Sequence, residues 1–199
     1  SSYGVQQMKR EPVLEAVDIV KELGSGAAKV QALKGVSMAL RPSELTLLMG
    51  PSGSGKTTLL SILGCILKPT SGDVRVVGES TIGMSAEQLA TVRRAHIGFI
   101  FQSYNLIPAI AASPSVVLAD EPTAALDTEN GHAVMALLAR IAKEQARSVL
   151  VVPHDPRTLP YADRVVRIED GRIVGEERRP EGLDAPEITD LAKRRKAHA

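Results

Sequence analysis

The chain has 199 residues, which is enough for one domain with a full hydrophobic core. Its 24 Lys and Arg residues against 23 Asp and Glu give a formal net charge of +1, which argues against a general nucleic-acid binder. A single cysteine excludes an internal disulfide, and 3% aromatic residues argue against a base-stacking platform.

Short apolar runs alternate with helical patterns along the chain. Strands are predicted at 13–20, 36–40, 45–49, 73–77, 97–101, 116–119 and 148–152. Helices are predicted at 56–67, at 85–95 behind a Ser-Ala-Glu-Gln capping box, and at 128–145. Residues 165–174 predict a hairpin with a type I′ turn at Asp170–Gly171. This order predicts an α/β fold with a mostly parallel sheet flanked by helices, plus an antiparallel β annex. No run approaches the roughly 20 apolar residues of a membrane span.

The strongest motif follows the strand predicted at 45–49. Residues 50–57 read GPSGSGKT and match G-x-x-x-x-G-K-[ST], which predicts a P-loop NTPase core. Glycines let successive N–H groups face one anion, and the following helix adds its positive end. Lys56 is expected to contact the β- and γ-phosphates of ATP, and the Thr57 hydroxyl to bind Mg²⁺. The predicted nucleotide-binding residues are Gly50, Pro51, Ser52, Gly53, Ser54, Gly55, Lys56, Thr57 and Thr58.

Polar side chains follow three further predicted strands. Asp120 ends the strand at 116–119 and is expected to bind Mg²⁺, while Glu121 orients or deprotonates the attacking water. His154 follows the strand at 148–152 and can donate to the γ-phosphate. Gln102 follows the strand at 97–101 and can reach Mg²⁺ or the water. An Asp-Glu pair at a strand end is more often a solvated turn when it stands alone. Here the preceding P-loop favours the functional interpretation.

The order of these motifs resembles the nucleotide-binding subunit of ABC transporters. The matching segments are GPSGSGKTTLL, IGFIFQSYNLIPA, VVLADEPTAALD, VVPHDPR and DRVVRIEDGRIV. They look most like the subgroup that serves lipoprotein-release, macrolide-efflux and heterocyst-glycolipid exporters. The resemblance implies that Gln102 lies on the Q-loop, Asp127 on the D-loop, and that Glu121 is the catalytic base and His154 the switch histidine.

The resemblance also implies an activity and partners. It implies an ATPase that energises export through an integral membrane permease and forms a homodimer with a second nucleotide-binding subunit on binding ATP. Such a subunit is peripheral, at the cytoplasmic face of the inner or plasma membrane. Its cofactors are ATP and Mg²⁺, and nucleic acid is not an expected partner.

Two features depart from the family pattern. The family has an adenine-stacking aromatic near the start of the chain, where residues 20–24 offer only Leu23. The family also has a helical subdomain whose helix starts with a Leu-Ser-Gly-Gly-type signature, and no such sequence occurs in this chain. Residues 105–110 resemble the segment after the Q-loop, and residues 111–114 resemble the end of the signature helix. We therefore expect a single domain, 1–199, from which the subdomain is missing at about 110–111.

Three explanations of this junction are open. The protein has a mobile subdomain that the sequence omits, the subdomain was deleted by design, or the natural gene lacks it. The first is favoured because both flanks match the family. It predicts that the Cα atoms of Ile110 and Ala111 lie far beyond the roughly 3.8 Å of a trans peptide.

The missing signature also leaves the function open. One alternative is a nucleotide-binding module with little or no hydrolysis, because a dimer would lack the signature contact across its interface. A weaker alternative is a soluble ABC-type ATPase with a nucleic-acid or translation role, although those usually carry two cassettes in one chain.

Overall fold

The computed structural model describes residues 11–100 and 113–179. The strands are β1 (Leu14–Leu23), β2 (Val30–Leu40), β3 (Leu45–Met49), β4 (Ser71–Val76), β5 (Glu79–Ser80), β6 (Ile97–Ile100), β7 (Val116–Asp120), β8 (Ser148–Val152), β9 (Arg164–Glu169) and β10 (Arg172–Arg178). The helices are α1 (Lys56–Leu63), α2 (Ala86–His96) and α3 (Thr128–Glu144), with short 3₁₀ helices at Gly26–Ala28 and Pro156–Tyr161. Gln102 and the Ile110–Ala111 junction lie outside the described residues.

The described strands form two sheets. The larger sheet has the order β10-β9-β3-β8-β7-β6, and all of its neighbouring strands are parallel except β10 and β9. The smaller sheet has the order β2-β1-β4-β5 and is antiparallel. The predicted α/β fold with a mostly parallel sheet and an antiparallel annex is thus confirmed.

The apolar pattern explains which helices cover which faces. The central strands β3, β7 and β8 are nearly continuous apolar runs because both of their faces are buried. Helix α1 packs between the antiparallel sheet and one face of the parallel sheet, through Leu59, Leu60, Ile62 and Leu63. Helix α3 covers the opposite face with the side chains of Met135, Leu138 and Ile141.

Most predicted elements are present, with some boundaries shifted. Ser85 accepts a hydrogen bond from the Gln88 N–H and Gln88 accepts one from Ser85, which confirms the capping box. Helix α1 ends at Leu63 rather than near residue 67, because Gly64 caps it and Cys65 turns into the left-handed region with φ +57°. Strand β2 begins at Val30 rather than 36, since it pairs with β1 as far as Leu23.

This topology brings the predicted site segments to one edge. In a parallel sheet, ligands bind where the carboxyl ends of the strands meet. Residues 50–55 follow β3, Asp120 ends β7 and His154 follows β8, and these three strands are neighbours. Among residues 11–100 and 113–179, the structure has no helix with the length and apolar character needed to cross a membrane.

Candidate functional site

The phosphate loop, residues 50–55, is shaped by close backbone contacts. A Cβ at Gly50 would lie 2.0 Å from the carbonyl oxygen of Ile168 on β9, so only glycine fits there. Gly55 has φ +102°, and a Cβ on it would lie 2.9 Å from the carbonyl oxygen of Ala32 on β2. The Ser54 N–H donates to the Pro51 carbonyl at 3.2 Å and closes the turn of the loop.

The positive groups of the loop converge at the start of α1. The Lys56 Nζ donates to the carbonyl oxygen of Gly50, and to that of Pro51 at 3.2 Å. Gly55 stands at the N-cap without a side chain that can satisfy the first N–H groups of the helix. Thr57 is exposed and Thr58 is partly buried in this first turn. Such a loop followed by a helix N-terminus is suited to bind phosphate.

Asp120 and Glu121 lie at the end of β7, beside the phosphate loop. Burial and the neighbouring Glu121 charge raise the pKa of Asp120, while the positive charge of Lys56 acts in the opposite direction. This interaction places Lys56 and the two carboxylates in one electrostatic environment. Glu121 has φ +46°, and its N–H donates to the Val152 carbonyl on β8 at 2.7 Å. A positive φ at a non-glycine residue is strained, and here a hydrogen bond to the next strand holds it.

His154 is exposed and is followed by a local ion pair. Asp155 accepts hydrogen bonds from the N–H of Arg157 at 2.9 Å and from its Nε at 2.6 Å. These bonds and the Arg157 charge lower the pKa of Asp155. Arg157 also donates to the Thr128 hydroxyl at 3.3 Å, which ties the His154 segment to the start of α3.

A cleft lies between the start of α3 and the segment that follows β8, and it contains a residue, His132, that the sequence analysis does not single out. Its lining includes Asp127, His132 and His154. Asp127 caps α3 by accepting the Asn130 N–H at 2.8 Å. His132 Nδ1 lies 3.0 Å from the hydroxyl of Tyr161. No local sequence pattern indicates this pair, because its members lie on separate elements.

The oxygen ligands available for a metal are few. Residues 11–100 and 113–179 contain no group of three or more His, Cys, Asp or Glu side chains arranged to hold a metal ion. Mg²⁺ usually keeps several waters and binds through one or two protein ligands plus substrate phosphates. The hydroxyl of Thr57 and the carboxylate of Asp120 are oxygen donors of the kind that this ion binds. Gln102, the third predicted ligand, lies outside the described residues.

Sequence comparison identifies the family. A family profile described as "ABC transporter" matches residues 33–114. The macrolide export ATP-binding/permease protein MacB of Escherichia coli K12 is 33% identical over a match that covers 89% of this chain and 36% of that protein. A MacB of Aeromonas hydrophila is 32% identical over 90% of this chain and 37% of its own length. The chain is an ATP-binding cassette of the ABC transporter family.

Solved structures of other ATP-binding cassettes have the same fold as this chain. The dimeric cassette MJ0796, bound to ADP and Pi after hydrolysis, has a TM-score of 0.78 and 28% identity, covering 83% of this chain and 98% of its own. CbiO1 of Clostridium perfringens shares the fold, with a TM-score of 0.71 at 21% identity over 94% of this chain and 93% of its own.

The lengths of the matched regions show how this cassette compares in size with its relatives. It spans about a third of the length of the curated relatives it matches, 36% for the Escherichia coli protein. The match with that protein extends over 236 residues, more than the 199 of this cassette, so the relative has residues there without a counterpart here.

Proposed function

We propose that this cassette binds ATP and Mg²⁺ at residues 50–58 and hydrolyses ATP to energise export through an integral membrane permease. The observation that carries the proposal is the phosphate loop, closed around Lys56 beside the Asp120–Glu121 pair. The relatives support it, since MacB is described as a macrolide export ATP-binding/permease protein and MJ0796 holds ADP and Pi.

Each residue of the site has a role in this proposal. The N–H groups of the loop and of the first turn of α1 bind the phosphates, and Lys56 stabilises the charge on the β- and γ-phosphates. Thr57, Asp120 and Gln102 would hold Mg²⁺, which neutralises charge on the phosphate oxygens when it is bound. Glu121 orients the attacking water and accepts its proton, and His154 donates to the γ-phosphate.

The proposed adenine site differs from the family pattern, which has a stacking aromatic residue there. Leu23 lies at the end of β1, where 42% of the residue is exposed, and its cross-strand neighbour Val30 is 63% exposed. Both side chains are aliphatic, so we infer that the base is held by apolar contact without aromatic stacking.

The partners follow from the same proposal. A second copy of the cassette completes the site across an interface, as the dimeric MJ0796 structures suggest for their own cassette. The permease is a separate subunit or a further part of a longer chain, and the cassette works at the cytoplasmic face of the membrane. No nucleic acid takes part.

A second candidate function is nucleotide binding with little or no hydrolysis. It is favoured by the absence of a signature sequence and by the relative's additional residues within a 236-residue match. We propose that the missing part is the helical subdomain, at about Ile110–Ala111. Without it, the γ-phosphate of a bound ATP would lack its contact from the second subunit.

Three measurements on one preparation separate these candidates. Intact mass spectrometry comes first, because the chain as written has a mass of 21.2 kDa and a retained subdomain would add to it. Calorimetry with Mg–ATP and an assay of phosphate release follow. Binding with steady release supports the ATPase, and binding without release at 21.2 kDa supports the second candidate. Absence of binding would contradict both.

A further inference from the structure

The turn between β9 and β10 lies against the phosphate loop. The Gly171 N–H donates to the Ser54 carbonyl of the loop at 2.9 Å. The Gly171 carbonyl accepts from the Lys34 N–H of β2, also at 2.9 Å. Gly171 thus uses both of its backbone groups to join the loop to the antiparallel sheet.

The packing at this turn leaves little room for adjustment. Gly171 is buried with φ +71°, and a Cβ on it would lie 2.6 Å from the carbonyl oxygen of Ala32. The same carbonyl oxygen would lie 2.9 Å from a Cβ on Gly55, the last glycine of the loop. One peptide of β2 therefore fixes the position of the turn and of the loop together.

Side chains on both sides of Gly171 strengthen this contact. The Lys34 Nζ lies 2.8 Å from Asp170 Oδ2, and the Arg172 guanidinium donates to the Lys34 carbonyl at 3.0 Å. The Lys34 side chain is only 23% exposed, whereas Asp170 is mostly in solvent. The Lys34 ammonium holds the pKa of Asp170 below its usual value. Both flanking residues are therefore tied to one residue of β2.

We propose that Lys34, Asp170 and Gly171 are positioning residues that brace the phosphate loop for ATP. The proposal rests on the proposed function, because it takes this loop as the phosphate site. A loop with glycines at 50, 53 and 55 has large conformational freedom, and ordering it in advance reduces the free-energy cost of binding. The brace fixes the Ser54 peptide, and through it the direction of the adjoining N–H groups.

The decisive variant is Gly171→Ala, with Gly78→Ala as its matched control. Gly78 lies in the β4–β5 turn with φ +80°, and a Cβ on it would meet no atom within 4 Å. The two changes therefore share the backbone strain, but only Gly171→Ala pushes a residue that is hydrogen-bonded to the loop away from β2. We expect Gly171→Ala to weaken Mg–ATP binding by at least roughly tenfold relative to Gly78→Ala, because misplacing contact groups by about 1 Å is costly. Calorimetry gives the affinity and a thermal melt gives the stability.

Two milder variants test the brace if Gly171→Ala does not fold. Asp170→Asn keeps a residue that tolerates the left-handed turn and removes the ion pair, and Lys34→Met removes the same pair from the other side. Each should weaken binding several-fold with little change in melting temperature. Without nucleotide, amide hydrogen exchange should rise in residues 50–56 and not in α3.

The outcomes separate the brace from the proposed function. Failure of the unmodified protein to bind ATP would contradict the proposed function, while hydrogen exchange still decides whether the turn orders the loop. Binding by the unmodified protein, with unchanged affinity and exchange in all three variants, would overturn the brace alone.

Discussion

The carbonyl oxygen of Ile168 lies so close to Gly50 that a Cβ on this glycine would be 2.0 Å away. The contact joins the first residue of the phosphate loop to the end of β9. The φ of Gly50 is not positive, so glycine is required here by packing and not by backbone conformation.

Replacement of Gly50 by alanine should therefore destabilise the protein and remove ATP binding. The obstructing atom belongs to the backbone of β9, which is paired with strands on both sides and cannot easily move. We therefore expect a loss of about 1–3 kcal/mol or more in the free energy of unfolding. Gly175→Ala is the control, since its Cβ meets nothing within 4 Å and its φ is not positive. Denaturant melts of both variants measure the difference, and equal stability would show that the contact is not tight.

Local features of the fold are predictable from the sequence, and distant contacts are not. The capping box at Ser85 and the turn at Asp170–Gly171 are predicted because neighbouring residues determine them. The contact of Gly50 with Ile168, and that of Gly171 with Ser54, join residues far apart in sequence, and no local pattern encodes them.

The candidate site likewise has features that the sequence predicts and features that it does not. The motif order predicts which strand ends carry Asp120, Glu121 and His154, because parallel strands place their carboxyl ends together. It does not predict the positive φ of Glu121, which depends on the carbonyl of Val152 on the adjacent strand. The start of β2 is also missed, since its residues 30–35 mix polar and apolar side chains and β1 is their strand partner in the sheet.

Cys65 should react slowly with thiol reagents. Burial raises its pKa to about 11, against a smaller opposing effect of the Arg93 charge. Since the thiolate is the reactive form, we expect the rate of alkylation at pH 8 to lie far below that of the unfolded protein and to keep rising above pH 10. A rate at pH 8 equal to that in denaturant would contradict the burial of this thiol.

Asp120→Asn should weaken binding in a metal-dependent way. The change removes a charged oxygen ligand and keeps the size of the side chain, so the affinity for ATP in Mg²⁺ should fall toward the value measured with a chelator. Titrations with and without Mg²⁺ measure this. A variant with the full Mg²⁺ dependence of the unmodified protein would exclude Asp120 as a ligand.

Glu121→Gln should separate binding from hydrolysis in protein that carries the helical subdomain. Removing a general base typically costs about 10²- to 10⁴-fold in rate, while the phosphate contacts remain. ATP binding should persist and a dimer should accumulate, as light scattering would detect. Equal phosphate release by the two proteins would remove Glu121 from this role.

ATP turnover by the 199-residue chain tests whether the helical subdomain is needed for hydrolysis. The second candidate function predicts that a preparation of verified 21.2 kDa mass shows neither steady turnover nor a stable ATP-dependent dimer. Turnover near about one per second, the low end of common enzyme rates, would show that the missing segment is not required.

The central claim, that residues 50–58 bind ATP, is tested most directly by calorimetry of Lys56→Ala with Mg–ATP. A hydrogen bond to a charged group contributes about 1.5–3 kcal/mol, so the affinity should fall by roughly ten- to a hundredfold or more. Lys143→Ala is the control, because Lys143 contacts the Ser43 carbonyl and Asp163. These two residues precede β3 and β9, whereas the phosphate loop follows β3, so they lie at the opposite end of the strands. The account predicts this fall in affinity in Lys56→Ala alone, and binding of unmodified strength by Lys56→Ala would contradict it.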